Sequence, residues 1–522
     1  MPKFITAAEA VEHIKDNDTV AFSGFGANGS PEHLIVMLGE RYKNTSHPKN
    51  IRVIKGVAIG DFSGKGLSQL SKMDGLIGTM ISAHVALEPD TLEAIDNNKM
   101  FAYTLPLGNV AQWFRSMVGK KPGHLTKVGL KTFADPRLGG GKGNKITREK
   151  GEDIVQLLNI NGEECLFYKY IPLNACIIRG TYADEDGNIS LKGEAIIAHQ
   201  FEIAAATRNA GGVVICQVNE IVQKGCLHPK DVAVHGSMID YIVKADYEYT
   251  THSLEFKHRT PELSGEYKVP VGSSFKPMPL DVRKICGRRA AFEITKGNIV
   301  NLGIGMPEAV GNVLTEEKQS HQYTMSIETG LFGGQNVIGP SFGSVRNPEV
   351  AMRADDILEW YDGGGLDMCC LGAAEFDQKG NVNASNFNGR CVGPGGFIDI
   401  SQSTHKVVFL GSLTTKGLKL EVGEGKLKIA QEGEIKKIKK QVEEITFSAE
   451  YAVETGQDVT YITERAVFKL SPQGIVLVEI APGLDLQKDI LGQMEFEPII
   501  SPNLKTMDER IFWDRPMGIA IE

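Results

Sequence analysis

The sequence has no long apolar run, no excess of basic residues and no paired-cysteine motif, and each absence excludes a class of function. No stretch is apolar for long enough to cross a membrane, and the opening residues Met1-Pro2-Lys3-Phe4-Ile5-Thr6 lack a signal-peptide core. The formal net charge of -9 argues against a nucleic-acid partner, although local cations and backbone amides can still hold an anionic ligand. The eight cysteines, at 165, 176, 216, 226, 286, 369, 370 and 391, form no CxxC pair. They read as small buried hydrophobes rather than disulfides or metal ligands, as in the apolar run Leu366-Asp367-Met368-Cys369-Cys370-Leu371. No metal site is expected, and no GxSxG elbow supports a serine hydrolase. These absences fit a reduced, cytoplasmic setting.

What is present points to a two-domain α/β protein. A chain of 522 residues is long enough for at least two cores, and 58 glycines imply many tight loops. Thr6 and Glu9 form a capping box ahead of a first helix through Ala10, Val11 and Ile14. Thr19-Val20-Ala21-Phe22 reads as a strand and is followed by Gly24-Phe25-Gly26-Ala27-Asn28-Gly29. Ser30 and Pro31 then open a helix, and Ile51-Arg52-Val53-Ile54 is the next strand. That order is the signature of a parallel sheet.

The pattern recurs. Strand, GxG loop and Pro-led helix return between Gly297 and Glu308, with Gly303 lying 279 residues after Gly24. Asp184-Glu185-Asp186-Gly187-Asn188-Ile189-Ser190 is echoed 193 residues later by Asp377-Gln378-Lys379-Gly380-Asn381-Val382-Asn383. Two similar α/β halves, 1–262 and 281–522, are therefore expected, joined by a Pro/Gly/Ser linker at 263–280. A helix from Asp281 to Ile294 opens the second half. Lys436-Lys437-Ile438-Lys439-Lys440, beside Val442 and Ile445, reads as a solvated helix face.

Two glycine-rich segments and one carboxylate carry the candidate chemistry. The 24–29 loop matches GxGxxG in a dinucleotide-binding context, yet the second strand ends Ile54-Lys55-Gly56 without the acid that would hold a ribose. A Gly395 and Gly396 pair, in Gly393-Pro394-Gly395-Gly396-Phe397, presents bare amides suited to an oxyanion. Thr324-Met325-Ser326-Ile327-Glu328-Thr329-Gly330 places Glu328 where a β-prone run meets a glycine turn. Desolvation makes a carboxylate at the exit of a buried strand costly, so packing does not account for it; a loop glutamate ahead of a tight turn is the alternative reading of this segment.

At these residues the chain resembles the class I coenzyme A transferases. Residues 18–31 are similar to the family's first signature, and Ile327-Glu328-Thr329-Gly330 falls where it carries its catalytic glutamate. The propionate and acetate CoA-transferase branch is the nearer likeness. It runs through Val128-Gly129-Leu130-Lys131-Thr132-Phe133-Ala134-Asp135-Pro136-Arg137, Arg179-Gly180-Thr181-Tyr182-Ala183-Asp184 and Tyr361-Asp362-Gly363-Gly364-Gly365-Leu366-Asp367, and ends at Val459-Thr460-Tyr461-Ile462-Thr463-Glu464-Arg465. The order Ile-Glu-Thr-Gly departs from the Ser-Glu-Asn-Gly of the succinyl-type branch. Leu107 also departs, because relatives place there a glutamine thought to assist the oxyanion site.

The resemblance implies two open, mainly parallel α/β domains with the active site between them. It further implies ping-pong transfer of CoA from a short-chain acyl-CoA to a carboxylate of the acetate, propionate, butyrate or lactate kind, with Glu328 as nucleophile. Gly395, Gly396 and Phe397 are its oxyanion and CoA-binding candidates, with Gly303 and Gly305 as a weaker pair. No tightly bound cofactor is implied, CoA being a substrate and a transient adduct, and the assembly is expected to be a homo-dimer or tetramer. An acyl-CoA hydrolase using the same glutamyl intermediate is the alternative, with a nicotinamide-dependent dehydrogenase further behind.

Overall fold

In the computed structural model the described residues are 2–270 and 277–522. They fall into two compact units. The first comprises Met1–Val269, Ile327–Glu359 and Gly389–Asp399, and the second Pro270–Ser326, Trp360–Asn388 and Ile400–Glu522. Val271 to Lys276 of the linker read at 263–280, Gly272, Ser273 and Ser274 among them, lie outside the described residues. Among the described residues no helix is long and apolar enough to cross a membrane.

The first unit is built on a mainly parallel ten-stranded sheet, in which Ile189–Ser190 and Val232–Val234 pair antiparallel off the path of the other eight. Those eight are β1 (Lys3–Phe4), β2 (Thr19–Phe22), β3 (Ile51–Lys55), β4 (Ile77–Ser82), β5 (Phe101–Thr104), β6 (Ala175–Asp184), β7 (Val213–Val222) and β8 (Tyr241–Lys244). They run across the sheet as β1-β8-β7-β6-β2-β3-β4-β5, every neighbouring pair parallel. The helices that matter below are α1 (Ala7–Val11), α2 (Glu32–Thr45), α3 (Leu107–Val118) and α4 (Gln200–Ala210). The capping box of α1 is formed by Thr6 and Glu9 as expected. Helix α2 starts at Glu32, one residue later than Ser30 and Pro31 suggest, because Pro31 occupies the cap position. Val20, Phe22, Ile51, Val53, Ile177 and Ile215 form the centre of an apolar core with Leu34, Ile35 and Leu38 of α2.

The second unit repeats the plan. Helices α5 (Val282–Ala291, capped by Asp281) and α6 (Glu308–Glu316) accompany eight strands. These are β9 (Ile299–Leu302), β10 (Thr324–Ser326), β11 (Met368–Gly372), β12 (Lys406–Leu410), β13 (Asp458–Ile462), β14 (Ala466–Ser471), β15 (Gly474–Ile480) and β16 (Ile499–Thr506). Their order is β10-β9-β11-β12-β13-β14-β15-β16, parallel from β10 to β13 and antiparallel through β14 and β15. The correspondence extends to register: Val20 pairs with Ala175 in one unit, and Val300 pairs with Met368 in the other. Ala175 also pairs with Val213 as Met368 pairs with Lys406, so both partners are shifted by the same 193 residues. The expectation of two similar, mainly parallel α/β bodies in one chain therefore holds.

The echoed aspartates do the same work in each body. Asp184 accepts from the amides of Asp186 and Asn188, and Asp377 accepts from those of Lys379, Gly380 and Asn381, each carboxylate closing its loop. Two expectations are corrected. The basic run is not a helix: Ile435–Lys436 and Ile438–Lys439 are short strands, and Ile438 is buried where it pairs with Phe376. Strand pairing satisfies that backbone, which overrides the helical spacing of the side chains. Seven cysteines are buried and reduced, but Cys226 is exposed.

One ion cluster gives the second unit an acid-sensitive point. Glu293 is held by Arg289 at 2.9 Å and Lys406 at 2.8 Å, while Arg289 also clasps Glu479 with two bonds of 2.8 Å. Burial alone pushes the Glu293 carboxyl upward, yet its two cationic partners outweigh this and bring it from 4.5 to about 2. The folded value lies below the unfolded one, so its contribution is complete above pH 4.5 and vanishes as pH falls toward 2. About 3 kcal/mol of stability is expected to disappear over that window. Urea titrations of the wild type and Glu293→Gln at pH 6 and about pH 3 check it, since the variant is expected to lack this part of the dependence.

Candidate active site

Glu328 lies two residues beyond Ser326, the last residue of β10, in a turn closed by the Gly330 amide donating to Ile327 O at 2.9 Å. The Ile327 amide in turn donates to Leu331 O at 3.0 Å. Only 9% of Glu328 is exposed, so the carboxylate is almost withdrawn from solvent. Gly330 is required here for two reasons. Its φ is +95°, and a Cβ would sit 2.3 Å from Met352 O. Gly330→Ala is therefore expected to push the Glu328 turn out of place and lower kcat by ~10–10²-fold. Steady-state rates alongside thermal melts check this, the rate falling much more than the melting temperature.

The 24–29 loop braces this turn. Thr329 Oγ1 donates to Gly343 O at 2.7 Å, and a Cβ on Gly343 would meet Phe25 Cε1 at 2.7 Å. The amides of residues 25–29 are turned to protein carbonyls: Phe25 to Asn28, Gly26 to Ala58, Ala27 to Pro340, Asn28 to Phe25 and Gly29 to His252. Asn28 Nδ2 adds bonds of 3.2 Å to Ser341 O and Phe342 O. A GxGxxG loop with these amides committed has none of them left for a pyrophosphate, which removes the physical basis for a dinucleotide site.

The Gly395 and Gly396 turn belongs to the same compact unit as Glu328. It follows Val392, whose carbonyl accepts from the Val85 amide, and leads directly into α8 (Phe397–Ser403), whereas α7 (Ala354–Asp362) comes earlier in the chain, before β11. The Gly395 amide donates to Ala83 O at 2.9 Å and the Phe397 amide to Pro394 O at 3.0 Å. For Gly396 no hydrogen-bond acceptor is found among the described residues, so its amide is the one of the three available to a ligand. Leu107 offers no substitute. Its side chain is buried with Phe25, Val57, Ala83, Val337 and Ala354, and its amide donates to Gly395 O at 3.0 Å.

Gly303 and Gly305 fall in the second unit, just after β9. The Gly303 amide donates to Cys370 O at 2.9 Å, and Gly305 O accepts from Arg283 at 2.9 Å.

Several buried polar groups around the first unit escaped the sequence reading. Lys55 ends β3 in an ion pair with Glu88, both side chains fully buried. His84 lies beside Gly393 and Gly395, and burial together with the Lys55 charge pushes its imidazole down to about 4. Asp355 of α7 faces His199 Nδ1 at 2.8 Å. Burial raises the Asp355 carboxyl, but His199, Arg353 and Arg115 together hold it below the usual range. The only sequence signal for any of these was the charged Lys55 at the end of an apolar strand.

The repeat also explains why the carboxylate occurs once. Arg52 pairs with Thr19 as Thr324 pairs with Ile299, and carrying that offset of 272 along the chain sets Gly56 opposite Glu328. At Gly56 a side chain is impossible, because a Cβ would lie 2.3 Å from His199 Nε2.

Residues 4–245 match the family model described as coenzyme A transferase. The whole chain is 43% identical over 522 residues to caffeate CoA-transferase of Acetobacterium woodii, covering 98% of each. It is 39% identical over 518 residues to acetate CoA-transferase YdiF of Escherichia coli strain K12, covering 99% of this chain and 96% of that one. The crystal structure of the acyl-CoA transferase YdiF apoenzyme from E. coli O157:H7 superposes with a TM-score of 0.93 at 38% identity, over 100% and 98% of the chains. A second structure of that enzyme, also with a TM-score of 0.93 and 38% identity over 100% and 98%, is a thioester complex with CoA. The chain belongs to the class I coenzyme A transferase family. It is an enzyme that transfers CoA between an acyl-CoA and a carboxylate.

Proposed function

We propose that Glu328 is the nucleophile of a short-chain acyl-CoA:carboxylate CoA-transferase working through a γ-glutamyl-CoA thioester. The observation that carries this reading is the withdrawn Glu328 carboxylate, held on a turn that only glycine at 330 permits. A glutamate is ordinarily ionised at neutral pH, with a pKa of ~4.3, so it needs no general base to act as a nucleophile. Its oxygen attacks the acyl-CoA carbonyl, and the tetrahedral oxyanion collapses to an acyl-glutamyl anhydride and CoA thiolate. The thiolate attacks the glutamyl carbonyl, releasing the first carboxylate and leaving Glu328 as its CoA thioester. An acceptor carboxylate attacks that thioester to regenerate an anhydride and free thiolate. The thiolate then takes the new acyl group, which restores the Glu328 carboxylate. Carboxylate exchanges for carboxylate, so no other energy source is required.

The Gly396 amide is the oxyanion donor in this scheme, with Gly395 and Phe397 shaping its turn and Gly303 and Gly305 lying along the CoA path. CoA is the substrate and transient adduct, with no resident cofactor. The donors and acceptors are short-chain acids of the acetate, propionate, butyrate or lactate kind, in keeping with the acetate-specific name of one relative. The caffeate-named relative marks an aromatic acid as the first acceptor to test outside that range. The halves 1–262 and 281–522, joined at 263–280, are the two domains of a cytoplasmic homo-dimer or tetramer.

Incubation with acetyl-CoA and no acceptor is expected to raise the intact mass by CoA less one water. Hydroxylamine followed by peptide mapping should place the label on Glu328. An enzyme that transfers CoA while Glu328 stays unmodified would overturn the covalent scheme. Release of free CoA without any acceptor at a rate matching turnover would favour the hydrolase reading instead.

A further inference from the structure

Asp399 is a fully buried carboxylic acid that the chemistry above leaves without a task. It sits in the first turn of α8, three residues after Gly396. Helix α3 begins nearby with Pro106 at its cap position, and no side chain of its own caps its first amides. Those amides, of Leu107, Gly108 and Asn109, instead face the Asp399 carboxyl. Neither carboxyl oxygen has a well-aligned hydrogen-bond partner among the described residues, so the attraction is that of a carboxyl for the positive end of a helix rather than of a closed bond. Burial pushes the acid up to about 7 against the downward pull of these amides.

The same short stretch is tied to α3 at a second point, where the Leu107 amide donates to Gly395 O at 3.0 Å. The start of α3 is itself fixed from the other side: Asn109 Nδ2 donates to Val128 O and to Tyr168 Oη, each at 2.9 Å. Val128 and Phe133 pack on Ile398, the residue before Asp399. The turn that bears Gly396 is thus held between an anchored helix start and an apolar contact, with Asp399 as the polar link.

We infer that Asp399 is a positioning residue, whose buried carboxyl holds the first turn of α3 against the Gly395 and Gly396 turn and so sets the direction of the Gly396 amide. This rests on the reading of Gly396 as the oxyanion donor for attack by Glu328. An oxyanion donor is worth ~10²–10³ in rate, and most of that is lost when it is misdirected. Binding of acyl-CoA, which draws on the rest of the molecule, is left nearly unchanged.

The test is single-turnover formation of the CoA adduct, followed by intact mass after acid quench, in wild type and Asp399→Asn, together with kcat and KM for acetyl-CoA. The variant is expected to form the adduct ~10–10²-fold more slowly, with KM changed less than ~3-fold and a native far-UV spectrum. Adduct formation at the wild-type rate overturns the proposal, as does a loss of activity that only tracks loss of native fold. Should the asparagine variant not fold, Asp399→Glu, which keeps the charge but lengthens the side chain by one methylene, is read by the same criteria. Failure of the wild type to label Glu328 at all would instead sink the covalent mechanism, and so the two outcomes are separable.

Discussion

Glu328→Ala is expected to lower CoA transfer by at least ~10⁴-fold while leaving the protein folded. In the proposed scheme Glu328 takes part in every covalent step, first as the attacking carboxylate and then as the carbonyl attacked, so its removal takes away the reaction path rather than one stabilising contact. No second carboxylate can substitute from the repeat, because Gly56 stands at the corresponding position and His199 fills the space beside it. The fold should tolerate the change, since the turn is closed by backbone bonds of Gly330 and Ile327 and braced through Thr329. Rates with acetyl-CoA and a panel of acids, read with circular dichroism and a melting curve, decide the matter. Turnover above about 1% of wild type in a folded variant would mean that the reaction does not pass through this residue.

The second large effect is on stability. Lys55→Met is expected to destabilise the protein by ~3–5 kcal/mol, because it strands a carboxylate in the interior. Glu88 is fully buried, its Oε1 accepting from the Ile59 amide at 2.6 Å and its Oε2 from Thr91 Oγ1 at 2.8 Å. Those bonds orient the carboxylate but cannot cancel its charge. Lys55→Met with Glu88→Gln should recover most of the loss, since a neutral pair of similar volume carries no desolvated charge. Urea unfolding of the two single variants and the double variant forms the required cycle. A Lys55→Met cost below about 1 kcal/mol would show that the pair is not the buried ion pair seen here. His84 supplies an independent readout: burial remains, but loss of the Lys55 charge should let its pKa rise from about 4.

Local signals in the sequence read well, and long-range ones did not. The Thr6 and Glu9 box, the strand at Thr19 to Phe22 and the helix read from Asp281 to Ile294 depend on neighbours within a few residues, and each appears, the helix as Val282–Ala291 with Asp281 as its cap. The Asp184 and Asp377 echo was legible because each carboxylate binds amides within four residues of itself. The basic run near Lys437 was misread because its partners, Thr414 and Phe376, lie far away in sequence. The 24–29 loop matched a phosphate-binding pattern letter for letter. Whether its amides are free depends on Pro340 and His252, which no local pattern reveals. Gly396 was readable as a bare amide, whereas Asp399 three residues on acquires meaning only from the start of α3.

The chain path has a consequence for how the molecule is made. The first compact unit is not complete at Val269; it takes in Ile327–Glu359 and then Gly389–Asp399, with stretches of the second unit synthesised in between. At a synthesis rate of about 5–20 residues per second, roughly 20–80 s pass before the last of these pieces exists. Until Ile327–Glu359 has been made, the nascent first unit lacks the partners of Phe25, Leu107 and Ala198 in their shared apolar cluster, Val337, Ala354 and Leu358. A ribosome halted between residues 359 and 394 therefore holds a chain in which Glu328 has been made and the Gly395 and Gly396 turn has not.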